Sequence, residues 1–293
     1  LASCAGGRSS RVTLKLDKNK VTGTKLSITL SGLTGGHSGV EIDKGRGNAN
    51  VLMSRILRDV ITDNNVYLAA FNGGRKDNAI PRECMAEIIV AADKTAEVKA
   101  AIENAAKEIK EEFATSDADL KCVVDISEGC STEAVTYEDS TRAVSLIQAL
   151  PNGIMRMSQD IDNLVETSLD ESGICLRFSL RSSVGAALKN LKSQIKFISE
   201  AFRANAEFTG EYPAWEYKKD SKLRDDMVRI FEQMYGKKPT IEAIHAGVEC
   251  GILAGKIEGL DCISMGPDIF DIHTTEEHLS ISSTKRMYEY ILN

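Results

Sequence analysis

The stretch KLSITLSGLTGGHSGVEIDKGRGNANVLMSRILRDVI (residues 25–61) sets the architecture. Leu26, Ile28 and Leu30 alternate with polar residues, the period-two pattern of a strand with one buried face. A glycine-rich loop, GLTGGHSG (32–39), follows. From Asn50 to Ile61 the apolar residues Val51, Leu52, Ile56, Leu57, Val60 and Ile61 recur at helical spacing. Strand, polar loop and amphipathic helix make one unit of a mixed α and β fold.

The same texture continues outward. Val66 to Phe71, Cys84 to Ala92 and Leu120 to Ser127 read as strands around an Ala- and Glu-rich helix at Lys94–Phe113. The pattern then recurs. Ser140 to Leu150 is helical, and Gly153–Met157, Leu164–Leu169 and Ile174–Leu180 are strand-like. Leu188, Leu191, Ile195, Ile198 and Phe202 form a helix stripe, and Ala206–Phe208 starts a last short strand. Residues 24–210 thus hold two successive sets of strands, each with one long helix and split near 130. Each set is expected to be a split βαβ, ferredoxin-like unit. At GEYPAW (210–215) the texture changes, as at a domain boundary. Beyond it come a helix at Leu223–Tyr235 stopped by Gly236, strands at Thr240–Ile244 and Leu260–Met265, and a helix at Ser283–Leu292. Arg11 to Asp17 alternates as a strand. Residues 1–23 are expected to pair with 211–293, with the doubled α+β region inserted between them.

Composition narrows the function. The 293 residues carry 36 Lys and Arg against 43 Asp and Glu, a net charge of −7, which argues against nucleic acid as a partner. The apolar runs are too short to span a bilayer. Seven cysteines at scattered spacings, with no CxxC, suggest neither a disulfide framework nor a zinc ribbon and fit a reducing, cytoplasmic setting. The chain begins at Leu1 within LASCAGG, which is no signal peptide and reads as a start in the middle of something.

Four histidines are the main candidates for chemistry: His37, His245, His273 and His278. His37 lies among three glycines, where the backbone can approach another surface and an imidazole can serve an oxyanion or a proton. The alternative is a capping or surface histidine. His273, after the Gly266-Pro267 turn, could be a metal ligand or a solvated loop residue. His245, Gly247 and Glu249 stand where a strand enters a helix, a place for an anion or for a cap. His278 reads as structural. Arg181, followed by Ser182 and Ser183 at a helix start, suits a carboxylate, or else a salt bridge on the sheet. No G-x-S-x-G, Walker loop or G-x-G-x-x-G occurs.

Taken together these segments resemble a known family. CAGG (4–7), GLTGGHSGVEIDKGRGNAN (32–50), NGGRKDNAIPRE (72–83), SLRSSV (179–184), GEYPAW (210–215), IHAGVECG (244–251) and SMGPDIFDIHTTEEHLSI (264–281) are similar, in order, to the aminoacyl-histidine dipeptidase branch of the two-metal zinc-peptidase superfamily that includes carboxypeptidase G and aminoacylase. The resemblance implies an α/β catalytic domain, here without its N-terminal part, interrupted by an α+β lid of two ferredoxin-like halves. It implies hydrolysis of dipeptides, of the Xaa-His type or broadly, with two divalent ions, zinc or else manganese or cobalt. Such ions acidify a bound water and polarise the scissile carbonyl. By the same resemblance His273 is a metal ligand, and His37 is the lid histidine that contacts the reacting carbonyl oxygen. Asn78 and Arg181 bind substrate, Arg181 at its carboxylate, and His245, Gly247 and Glu249 line the cleft. A homodimer is allowed, with His37 acting within its own chain or across to its partner. The family's H-x-D motif, Glu-Glu pair and further acidic ligands precede CAGG, and no H-x-D occurs in this chain. The chain is therefore expected to be an incomplete, inactive part of the enzyme. The rival is a non-catalytic binding or dimerisation module derived from the lid.

Overall fold

A computed structural model describes residues 1–38, 41–74, 79–153, 162–170, 173–244, 247–271 and 275–293, with the backbone alone at 62–63, 162–170 and 173. In chain order its elements begin with β1 (Ser3–Cys4), β2 (Gly6–Lys15), β3 (Lys18–Ser31), β4 (Gly36–His37) and α1 (Ala49–Asp63). Then come β5 (Tyr67–Gly73), β6 (Ala79–Ile80), β7 (Cys84–Val90), α2 (Thr95–Glu112), β8 (Lys121–Val135) and α3 (Tyr137–Ala149). Next are β9 (Asp162–Asp170), β10 (Gly173–Ser182), α4 (Gly185–Ala201), β11 (Asn205–Tyr212) and α5 (Lys222–Tyr235). The last are β12 (Ala243–Ile244), α6 (Glu249–Lys256), β13 (Ile269–Phe270), β14 (His278–Leu279) and α7 (Ile281–Ile291).

The chain forms two compact units. Unit 1 comprises Leu1–Gly6, Ser183–Gly185 and Tyr212–Asn293, and unit 2 comprises Gly7–Ser182 and Ala186–Glu211. Unit 2 is built on an eight-stranded sheet of order β11-β2-β10-β9-β5-β7-β3-β8. Its two ends mirror each other. One half runs β3, α1, β5, β7, α2, β8 and the other β2, α3, β9, β10, α4, β11, and each places its strands in the same relative order. The halves join where β5 pairs with β9, at Asn72↔Ser168 and Gly73↔Thr167, and α1 packs on α3.

Two expectations need correction. Each half holds two helices, not one, because α1 and α3 bury apolar stripes as complete as those of α2 and α4. Residues 7–23 lie in the sheet unit and not with the C-terminal part, because β2 is held between β10 and β11. The division expected near residue 130 falls between β8 and α3, at 135–137, and the second half takes in β2 as well. The expected strand at Gly153–Met157 falls almost wholly on residues outside those described.

Alternation decides the faces. Val12, Leu14, Leu26, Ile28, Leu30, Ala86, Ile88, Leu176, Phe178 and Leu180 are buried in one cluster with the apolar stripes of α1 to α4. The opposite face is polar: Lys25 meets Glu87 at 3.0 Å, and Arg177, Ser179 and Arg181 lie on it. α1 starts at Asn48, whose Oδ1 accepts from the amides of Asn50 and Val51 at 3.0 and 3.4 Å.

In unit 1, β1 and β12 pair in parallel, Ser3↔Ala243 and Cys4↔Ile244. α5 begins at its cap Ser221 and stops at Gly236, whose φ of 69° is left-handed. Tyr290 of α7 packs edge-on against Phe231 at 5.4 Å and donates to the Met227 carbonyl at 2.6 Å. Leu260–Met265 is not a strand. Its Ser264 exchanges two hydrogen bonds with Leu1 and extends no ladder. Thr240–Ile244 shortens to β12 for the same reason: only two residues of β1 lie beside it.

Candidate functional site

Three strands of unit 2 point the same way. β3 is antiparallel to β7, β7 to β5, β5 to β9 and β9 to β10. β3, β5 and β10 are therefore mutually parallel, and their C-terminal ends lie at the same end of the sheet. The loop carrying His37 leaves β3 there, and Arg181 stands at the end of β10. The chain leaving β5 there leads to residues 75–78, outside those described, among them Asn78.

His37 is half-buried and lies in β4, which pairs with β6 as Gly36↔Ile80 and His37↔Ala79. Glycine is needed at both preceding positions. Gly35 and Gly36 have φ of 65° and 141°, and a Cβ on them would lie 2.2 Å from Arg82 Cγ and 2.3 Å from Arg46 Nη1. The His37 amide donates to Glu41 Oε2 at 2.8 Å, and Arg46 holds the other Glu41 oxygen at 2.9 Å. Those two partners keep the Glu41 carboxyl below its usual pKa. The His37 imidazole is itself pushed down from 6.5, first by burial and then by the positive charge of Arg181, with Glu41 opposing. Residues from the two halves of one chain thus come within electrostatic reach.

Asp117 anchors this loop and was not legible as a functional residue. Its buried carboxylate accepts from the amides of Thr34 and Gly47, each at 2.8 Å, and so ties both flanks of the His37 segment to the turn before β8. It sits in a polar run, SDAD, with no periodicity to mark it. Asp117→Ala is expected to destabilise unit 2 by roughly 1–3 kcal/mol, since the buried Gly47 amide and the part-buried Thr34 amide lose their acceptor. The check is a lower urea midpoint at unchanged slope; an unchanged midpoint would show that the loop does not depend on this carboxylate.

Gly247 and Glu249 belong to unit 1. A Cβ on Gly247 would lie 2.7 Å from the Tyr212 ring, so only glycine fits against it. Glu249 is exposed in the first turn of α6. His245 and His273 lie outside the described residues. His278 sits in the β13–β14 ladder opposite Phe270 and stacks on its ring at 5.1 Å. Among the described residues no group of three or more His, Cys, Asp or Glu side chains could hold a metal ion, so these residues alone do not fit a two-metal centre. Nor, among them, is any helix long and apolar enough to cross a membrane.

Comparison with known proteins agrees with this arrangement. A family model described as the peptidase dimerisation domain (M20) matches residues 28–117. The cytosol non-specific dipeptidase of Escherichia coli K12 is 32% identical over 289 residues, covering 96% of this chain and 59% of the relative. The crystal structure of aminoacylhistidine dipeptidase from Vibrio alginolyticus superposes with a TM-score of 0.92 at 28% identity, covering 99% of this chain and 61% of that one. The chain therefore spans about three-fifths of the length of both relatives. The fold, the ordered motifs and both relatives agree: over nearly its whole length the chain is similar to M20 dipeptidases.

Proposed function

We propose that this chain is part of a metal-dependent hydrolase of dipeptides, of the Xaa-His type or broader, acting in the cytoplasm as its Escherichia coli relative's name states for that protein. Unit 2 is the lid, with two ferredoxin-like halves, and unit 1 is the C-terminal piece of the catalytic domain. His37 meets the reacting carbonyl oxygen, and Arg181 takes the substrate's C-terminal carboxylate. Asn78, His245, Gly247 and Glu249 line the cleft. His273 is a metal ligand, and the remaining ligands of two divalent ions, zinc or else manganese or cobalt, come from outside this chain. The observation that carries this reading is the electrostatic meeting of His37 and Arg181 where β3 and β10 end, each from a different half. A neutral donor and a fixed cation there suit the two ends of a short peptide. Both belong to one chain, which favours His37 acting within its own subunit.

Incompleteness is supported by the surface of unit 1. Ile281, Leu292, Tyr288, Ile257, Ile252 and Leu253 of this unit are each 47–87% exposed. The 293-residue chain is expected to bind zinc weakly and to turn over no dipeptide with excess Zn²⁺ or Mn²⁺. Metal-dependent turnover at an enzyme-like rate would overturn this. A longer protein containing the chain is expected to be active. An inactive one would favour the second reading, a binding or dimerisation module, which the match over residues 28–117 also supports. The same match supports a homodimer.

A further inference from the structure

We propose that Cys250 and Cys262 are a redox-active thiol pair, which closes reversibly into a disulfide by exchange with a small-molecule disulfide and so ties the start of α6 to the segment that follows it.

Geometry brings these two together. Cys250 is the second residue of α6, and Cys262 lies just beyond that helix. The chain turns back between them: the Leu260 amide donates to the Ile257 carbonyl at 3.3 Å, and Gly259 has a left-handed φ of 76°. Cys262 thereby returns to the first turn of α6, where its thiol is hydrogen-bonded to that of Cys250. The Cys250 sulfur also lies 3.8 Å from the carbonyl oxygen of Ile263, the neighbour of Cys262. Both thiols are half-buried, and Cys262 lines a cleft with Trp215, Leu260 and Asp261. A small reagent therefore has access.

No other two cysteines combine nearness with access. Cys122 and Cys130 lie on one strand, β8, roughly 25 Å apart. Cys84 and Cys122 pair with Leu30 from opposite sides, which leaves them two strand spacings, about 10 Å, apart. A disulfide spans no more than about 7 Å between Cα atoms. Cys175 is buried on β10 against Arg11. Cys4 adds a third sulfur under α6, 3.4 Å from where a Cβ on Gly251 would stand, but it is fully buried. A reagent in solution meets Cys250 and Cys262 first.

The exchange balances. Burial, and then the neighbouring Cys250, raise the pKa of Cys262 and keep it a thiol at neutral pH. Cys250 therefore attacks first: it loses its proton, its sulfur bonds to one sulfur of the reagent, and the other leaves as a thiolate. Cys262 then gives up its proton, attacks the Cys250 sulfur and displaces the second thiolate. The two cysteines lose two electrons, the reagent is reduced to two thiols, and two protons pass to them. In a reducing compartment such a bond is transient, the form in which disulfides serve redox sensing there.

Oxidation of the native 293-residue chain with glutathione disulfide, followed by alkylation and tryptic mapping without reduction, tests this. Trypsin cuts at Lys256, between the two cysteines, so only the disulfide holds their peptides together. The Cys250–Cys262 link is expected as the main one, removed by dithiothreitol. Cys262→Ser is expected to stop at the mixed disulfide, with glutathione held on Cys250. Cys250→Ser is expected to hold at least about tenfold less glutathione at Cys262. Oxidised in urea, where the fold no longer sets nearness, the chain is expected to link Cys122 with Cys130 at least as readily, since they stand closer in sequence. A native chain whose Cys250 and Cys262 are both alkylated overturns the pair. So does a link from either to Cys4, or the same preference with and without the fold. Glutathione held at Cys262 rather than at Cys250 overturns the order of attack.

Discussion

His37→Ala, made in the active dipeptidase, is expected to lower kcat by about 10²–10³-fold while leaving metal content unchanged. The imidazole stands on a loop anchored within unit 2 by Asp117 and by the Glu41–Arg46 pair. Burial, and then the charge of Arg181, lower its pKa from the ordinary 6.5 and so favour the neutral ring, which donates one N–H to a developing oxyanion. That contact strengthens only as negative charge grows, so its loss falls on kcat. The same shift has a sign for stability. The unfolded chain takes up a proton at this site more readily than the fold does, so His37 costs stability as pH falls below 6.5 and nothing well above it. Zinc stoichiometry and kcat measured together decide the assignment. A variant that loses metal, or that keeps normal kcat, rules out the oxyanion role. His273→Ala is expected to lose metal instead.

Arg181→Ala is expected to raise KM for dipeptides by roughly 10- to 150-fold with a smaller change in kcat, the equivalent of about 1.5–3 kcal/mol for a charge-assisted pair. The carboxylate it would hold is as charged in the bound substrate as in the transition state, so binding rather than the chemical step bears the loss. Arg181→Lys should recover only part, because an ammonium lacks the two-pronged fork. A substrate amidated at its C-terminus and cleaved as well as the free acid would show that Arg181 does not serve that end.

Much of the fold was legible because alternation and helical spacing report burial directly. Leu26, Ile28 and Leu30 gave β3, and Leu188, Leu191 and Ile195 gave α4, since each set faces one core. The ownership of β2 was not legible. Alternation in Val12 and Leu14 marks a strand but carries no address, and its partners β10 and β11 lie far along the chain. Leu260–Met265 looked like a strand because an apolar run does not say whether a ladder partner is at hand. At the site, glycines around His37 were a local signal, each fixed by a close contact. The nearness of Arg181 and the grip of Asp117 are long-range facts that no spacing encodes. The resemblance supplied the roles of His37 and Arg181, and the strand directions supplied a physical reason for their meeting.

The pairing of Lys18 with Val135 at the base of the first half bears on how the chain assembles. The first half is a continuous stretch whose two ends meet as ladder partners. The second half is cut open to receive it, with β2 on one side of the cut and α3 on the other. Across that cut Asp17 donates its amide to Asp139 at 3.3 Å and Arg142 donates to the Lys15 carbonyl at 3.0 Å. During synthesis β2 emerges first and must wait for β10 and β11. Bringing it to them across a disordered insert would cost loop-closure entropy and time. Once the insert has folded, its joined ends shorten that gap to the length of a turn. The first half thus acts as an internal clasp for the second, and the order of assembly is written into the nesting: the insert closes, then the interrupted half closes around it.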